Sequence, residues 1–199
     1  MLLYNSPVSG NCYKVRLLAA QLGLRLELRE LDVVDRSNRA EILGDLNPAL
    51  RVPTLVLDDG RALAESGAIL WYLGEGTRYV PDDPYARAQM LQWMFFEQYE
   101  HEPAIALVRF WLAYSGRPEE FADRIEERQR AGRRVLSAMD RHLEGRSWFV
   151  AESMTLADIA LYAYTHVADE GGFDLAGYPA VCAWFDRVAA QPGHIPIDA

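Results

Sequence analysis

Residues 47–69 read NPALRVPTLVLDDGRALAESGAI, and this stretch decides the fold. Pro53 has no N–H to give to a sheet ladder, so it marks a strand start or a bulge, and the β-rich run Thr54–Leu57 follows it. Asp58-Asp59-Gly60 is a strong hairpin signal, and Arg61–Ala64 is the returning strand. From Glu65 to Leu73 the apolar spacing becomes helical, and Gly74 stops it. The junction Ala64-Glu65-Ser66-Gly67 is therefore a helix N-terminus. Its N–H groups and positive dipole end attract a capping oxygen or, equally, a ligand carboxylate. The Ser66 hydroxyl adds a donor and the Glu65 carboxylate an acceptor for an ammonium. One turn thus offers a place for an α-amino acid head group.

Working toward the N-terminus, Met1–Tyr4 is a short apolar strand ended by Asn5-Ser6-Pro7. Cys12–Leu22 has helical spacing and Gly23 as a stop. Leu24–Val33 alternates as a half-buried strand, and Arg36–Leu46 is weakly helical before Asn47-Pro48. The order is β-α-β-α-β-β-α. Toward the C-terminus, Pro81-Asp82-Asp83-Pro84 punctuates the chain as a linker. Helical spacing then covers Tyr85–Tyr114, Pro118–Leu143, Thr155–Ala168 and Pro179–Gln191. The expectation is an α/β domain over 1–75, a linker over 76–84 and an all-helical domain over 85–199. Thr155 with Asp158 three residues on is a variant capping box, with a role in folding rather than chemistry.

Half of the 199 residues are hydrophobic and 25% charged, the profile of an ordinary soluble globular protein. A net charge of −9 repels phosphate backbones and disfavours nucleic acid as a partner. Of the 20 basic residues only Lys14 is lysine. Cys12 and Cys182 are far apart and form no disulfide framework, which favours a reducing compartment. Neither a signal-peptide pattern nor an apolar run of the ~20 residues needed for a membrane span occurs, so a cytoplasmic location is expected. The four histidines are scattered without HxxxH or CxxC spacing, which argues against a metal site. No Gly-rich phosphate loop is present either.

Asn47-Pro48 ahead of Arg51-Val52-Pro53-Thr54-Leu55, with Glu65-Ser66-Gly67-Ala68-Ile69 beyond the hairpin, resembles the glutathione site of the cytosolic glutathione transferase family. The element order extends that resemblance over essentially the whole chain. It implies a thioredoxin-like N-terminal domain and an all-α C-terminal domain. Reduced glutathione would be the co-substrate, with no other cofactor. The resemblance further implies a cis Val52–Pro53 bond, with the Val52 backbone pairing to the cysteinyl part of glutathione. Glu65 and Ser66 would hold the γ-glutamyl group, and Arg51 would reach toward the glycyl carboxylate. The implied activity is conjugation of glutathione to a hydrophobic electrophile by a homodimer. Glutathione-dependent isomerisation, disulfide or peroxide reduction, and a non-catalytic glutathione-binding carrier are the alternatives.

A thiol with a pKa near ~8.5 must lose its proton before it attacks, and a hydrogen bond to the sulfur at a helix N-terminus promotes that. The candidates between first strand and first helix are Tyr4, Ser6, Ser9, Asn11, Cys12 and Tyr13. The stretch is similar to the serine-type branches, including bacterial ones, and that alignment puts Ser9 in the activating position. Asn11 is the second candidate, as in bacterial branches that use an asparagine amide. Cys12 is the third, after the omega-like and beta-like branches that form mixed disulfides. For the electrophile pocket, Tyr99 and Phe110 are the candidates among the aromatics of the Tyr85–Tyr114 helix, with His101 and Glu102 as polar neighbours near Pro103.

Overall fold

β1 (Leu2–Asn5) is the strand on which the first unit is built. The computed structural model describes residues 1–199 and divides into two units, Met1–Thr77 with Gln191–Ala199, and Arg78–Ala190. In the first unit β1 is followed by α1 (Gly10–Gln21), β2 (Glu27–Glu30), α2 (Arg39–Leu43), β3 (Thr54–Val56), β4 (Ala62–Ala64) and α3 (Ser66–Gly74). This is the β-α-β-α-β-β-α order read from the sequence. The sheet order is β2-β1-β3-β4, with β2 parallel and β3 antiparallel to β1, and β4 antiparallel to β3.

Successive strand residues point to opposite faces, and β1 uses both. Tyr4 packs with Leu31, Leu43 of α2, Leu50 and Val52, while Leu3 is fully buried. On α1 and α3, which pack on each other, Val15, Leu17, Leu18, Ile69 and Leu70 are wholly buried. The half-buried strand expected over Leu24–Val33 is only Glu27–Glu30, and all four residues are exposed. It is an edge strand, and its charged side chains Glu27, Arg29 and Glu30 suit an unpaired edge better than a core.

The last nine residues also depart from the expected boundary, because they group with the first unit instead of the helical one. Tyr13 Oη donates to the Ile195 carbonyl at 2.7 Å, and the Arg16 guanidinium donates to the carbonyls of Ile197, at 2.6 Å, and Ala199. Gly193, at φ +76°, brings the tail so near the end of α1 that a Cβ would lie 2.9 Å from the Ala20 carbonyl oxygen. Periodicity carries no information about such a return. It is made by hydrogen bonds to backbone carbonyls.

The second unit holds α4 (Pro84–Phe96), α5 (Glu102–Arg109), α6 (Ala122–Leu143), α7 (Leu156–Thr165) and α8 (Pro179–Ala189). Asp83 caps α4, its carboxylate accepting from the Ala86 N–H at 2.8 Å. α4 and α5 form one helical run that continues to Tyr114, with π turns at Glu97–His101 and Phe110–Tyr114. The first π turn lies just before Pro103, whose missing N–H leaves a gap in a regular helical ladder. α7 is buried along its whole length. Its anchor is Asp158, a fully buried carboxylate that accepts from the Thr155 N–H at 2.8 Å and the Thr155 hydroxyl at 3.0 Å. It also accepts from the Phe149 N–H at 3.2 Å and from Trp184 Nε1 at 3.0 Å. The role in folding expected of Thr155 and Asp158 is thus met by a network that reaches well beyond a cap.

Candidate functional site

Tyr4, Thr54 and Ala64 are register partners across β1, β3 and β4, so they form one row of the sheet. Everything that leaves the sheet at this row comes out at one end. From β1 it is the loop leading to Ser9 and α1, into β3 it is the turn Arg51-Val52-Pro53, and from β4 it is Glu65-Ser66. Strand pairing therefore brings together three segments far apart in sequence, Asn11 and Ser66 being 55 positions apart.

Each segment is held locally. Asn47, which is buried, donates from Nδ2 to the Arg51 carbonyl and to Thr54 Oγ1, both at 3.0 Å, and accepts from the Ala49 N–H at 2.9 Å. The Thr54 hydroxyl donates to the same Arg51 carbonyl at 2.9 Å. The two side chains clamp the turn on either side of Val52–Pro53, whose peptide bond is cis. In the sequence Asn47-Pro48 ends the preceding helical stretch and opens the motif of the resemblance, but neither reading gives Asn47 a bracing role. Its bracing role depends on where Thr54 lands. Arg51 itself is exposed.

Glu65 sits at φ +68°, ψ 119°, a conformation that costs a non-glycine residue about 1–3 kcal/mol and is typical of residues held for function. Its carboxylate is exposed and makes no cap bond to α3. Ser66, the first residue of α3, is buried and donates its hydroxyl to Asn11 Oδ1 at 3.2 Å. The same Oδ1 accepts from Lys14 Nζ at 2.7 Å. Two donors on one oxygen fix the direction of the amide, with Nδ2 at its opposite end.

The Ser9 hydroxyl oxygen caps α1 by accepting from the Cys12 N–H at 3.3 Å. Cys12 is fully buried in the first turn of α1, and burial pushes its thiol up to about 11, against the smaller opposing effect of the Ser9 hydroxyl. A thiol in that state is neither a thiolate near neutrality nor open to a disulfide partner. Tyr4 belongs to the core beneath α2, and the Tyr13 hydroxyl is bonded to the C-terminal tail.

In the helical unit Tyr99 is 81% exposed and Phe110 is half-buried at the start of the second π turn. His101, read from sequence as a polar pocket residue, is instead fully buried, its Nε2 2.8 Å from Thr165 Oγ1 and its Nδ1 3.8 Å from a Glu97 oxygen. It is a core residue of the π turn.

Residues 3–78 match the "Glutathione S-transferase, N-terminal domain" family, and residues 104–192 match "Glutathione S-transferase, C-terminal domain". The chain is 30% identical to glutathione S-transferase 2 of Anopheles gambiae, over 96% of its own length and 91% of that protein's. It belongs to the glutathione S-transferase family. Its fold, a thioredoxin-like unit and an all-α unit, is the glutathione S-transferase fold. The crystal structure of a glutathione S-transferase from Pseudomonas fluorescens superposes with a TM-score of 0.95 at 44% identity, covering 98% of both chains. The disulfide-bond oxidoreductase YfcG of Escherichia coli is 29% identical over 96% of this chain and 90% of its own. The chain also matches elongation factor 1-gamma of Artemia salina at 30% identity, over 84% of its own length and 40% of that protein's. The relatives it resembles are thus named for different roles. No helix of the structure is long and apolar enough to cross a membrane.

Proposed function

We propose that the chain binds reduced glutathione at the β1–β3–β4 end of the first unit and conjugates it to a hydrophobic electrophile. The observation that carries this reading is the Ser66–Asn11 hydrogen bond, 3.2 Å long. It joins the head of α3, where an α-amino acid group would be received, to the head of α1, where a thiol would be activated. Glu65 and Ser66 take the γ-glutamyl group, the Val52 backbone beside cis Pro53 takes the cysteinyl amide, and Arg51 pairs with the glycyl carboxylate through its forked donors. The geometry favours Asn11 over Ser9 as the donor to sulfur. Ser9 Oγ is turned toward its own helix, whereas the Asn11 amide is braced across the site. Ser9 then serves α1 as a cap. Tyr99 and Phe110 are the proposed apolar contacts for the electrophile, and the working form is a homodimer.

Calorimetry with reduced glutathione tests the reading. Binding heat in the wild type, strongly reduced in Ser66→Ala, is the expected result, and no heat in the wild type would overturn it. Disulfide exchange through Cys12, the chemistry named for the Escherichia coli relative, is disfavoured by the burial of that thiol. Cys12→Ala is expected to keep wild-type turnover, and brief iodoacetamide treatment of the native protein should leave Cys12 unlabelled by mass spectrometry. Lost turnover in a folded Cys12→Ala protein would restore the cysteine route.

A further inference from the structure

Lys14 is the single lysine among 20 basic residues, and it is 1% exposed. A buried ammonium loses its hydration at a large cost unless hydrogen-bond partners replace it. The other 19 basic residues are arginines, and Arg16, Arg39 and Arg109 among them are buried as well. At position 14 the compact point charge of an ammonium is kept, one helical turn along α1 from Asn11 and bonded to its Oδ1 at 2.7 Å. The same oxygen receives the Ser66 hydroxyl at 3.2 Å.

From this geometry we infer that Lys14 is a positioning residue for thiol activation, holding the Asn11 amide by its oxygen so that Nδ2 faces the glutathione sulfur. The inference rests on the proposed binding of glutathione at this site. Two consequences follow from the arrangement. The amide cannot turn over to present its oxygen, which would repel a thiolate. Its N–H dipole is polarised, because the carbonyl end is bonded to a cation. Lys14 touches neither glutathione nor the electrophile in this account; it acts through Asn11. Arg16 and Arg39 are further charges at the first turn of α1, both reaching Cys12, and Glu65 precedes Ser66 at the head of α3.

The test compares Lys14→Met, which keeps the length and removes the charge, with Lys14→Arg and with wild type. The ultraviolet absorbance of the thiolate, followed against pH with reduced glutathione bound, gives the pKa of the bound thiol. S-methylglutathione, which has no ionisable thiol, reports recognition alone. Lys14→Met is expected to raise the bound thiol's pKa by about one unit or more and to lower kcat/KM about tenfold at pH values below that pKa, where one unit is a tenfold change in thiolate fraction. Its affinity for S-methylglutathione should stay near wild type, and Lys14→Arg should recover part of the pKa. In the double variant with Asn11→Ala, loss of Lys14 should add little, because one residue acts through the other. An unchanged thiol pKa in a folded Lys14→Met protein that still binds S-methylglutathione would overturn the inference, as would fully additive losses in the double variant. If Lys14→Met does not fold, Lys14→Leu removes charge and donor alike, and the same outcomes decide. Absence of glutathione binding by the wild type is a separate failure, that of the binding site itself.

Discussion

Replacing Asn11 by Ala lowers kcat/KM near pH 7 by about 10- to 100-fold while leaving the affinity for S-methylglutathione close to wild type. The magnitude is that of one hydrogen bond to a charged group, about 1.5–3 kcal/mol. The sign of its pH dependence follows from the chemistry. Without the donor the bound thiol holds its proton more tightly, so the deficit is greatest at low pH and shrinks as pH rises through the thiol's own pKa. Turnover with an aromatic chloride electrophile, measured from pH 6 to 9, checks both the size and the slope. Asn11→Asp is the sharper companion, since it keeps an acceptor for Lys14 and Ser66 but places an oxygen where Nδ2 stood. It should be at least as damaging. If Ser9→Ala shows this pattern and Asn11→Ala does not, the activating role passes to Ser9, the residue that sequence alignment alone favours.

Asp158→Ala is expected to lower the stability of the helical unit by about 3–5 kcal/mol, the range for removing one partner of a buried charged network. The reason is local. Four donors, the N–H groups of Phe149 and Thr155, the Thr155 hydroxyl and Trp184 Nε1, lose one acceptor in a region without solvent access. Trp184 is itself fully buried, and its ring stands edge-on to Phe149 and Tyr162, so the loss spreads from α7 to α8. Urea denaturation followed by tryptophan fluorescence measures it, and a loss under 1 kcal/mol would contradict this account.

The same carboxyl predicts a pH effect of definite sign. Burial pushes Asp158 up to about 6, above the ~3.9 expected of an unfolded aspartate. The folded chain then binds that proton more tightly than the unfolded chain does. Its contribution is fully present below pH ~4 and is lost as pH rises to about 6, a change of roughly 3 kcal/mol by linkage. The urea midpoint of the wild type should carry this decline between pH 4 and 6. Asp158→Asn, which does not titrate, should lack it.

Much of the architecture was legible in the residues. Asp58-Asp59-Gly60 and the spacing of Glu65–Leu73 located the hairpin and α3 to within a residue or two, because turn chemistry and helical period are local properties. The exposed face of β2 was misjudged, because alternation cannot tell the middle of a sheet from its edge. The return of residues 191–199 to α1 was also invisible, since it is made by Tyr13 and Arg16 reaching backbone carbonyls that every residue possesses. His101 read as a polar pocket residue for a similar reason: the partner that makes it a core residue, Thr165, is 64 positions away.

The stretch from Asn47 to Ile69 was by itself enough to set the strand start at Pro53, the hairpin and the helix head at Ser66. All of that depends on neighbours in sequence, through backbone sterics, proline's missing donor and the free N–H groups of a first helical turn. The tertiary structure alone decided which side chain stands across from Ser66. Strand pairing through Tyr4, Thr54 and Ala64 brought the head of α1 beside the head of α3, and the bonds from Ser66 and Lys14 then chose the direction of the Asn11 amide. A hydrogen bond between residues 55 positions apart is set by that register, and no local pattern records it.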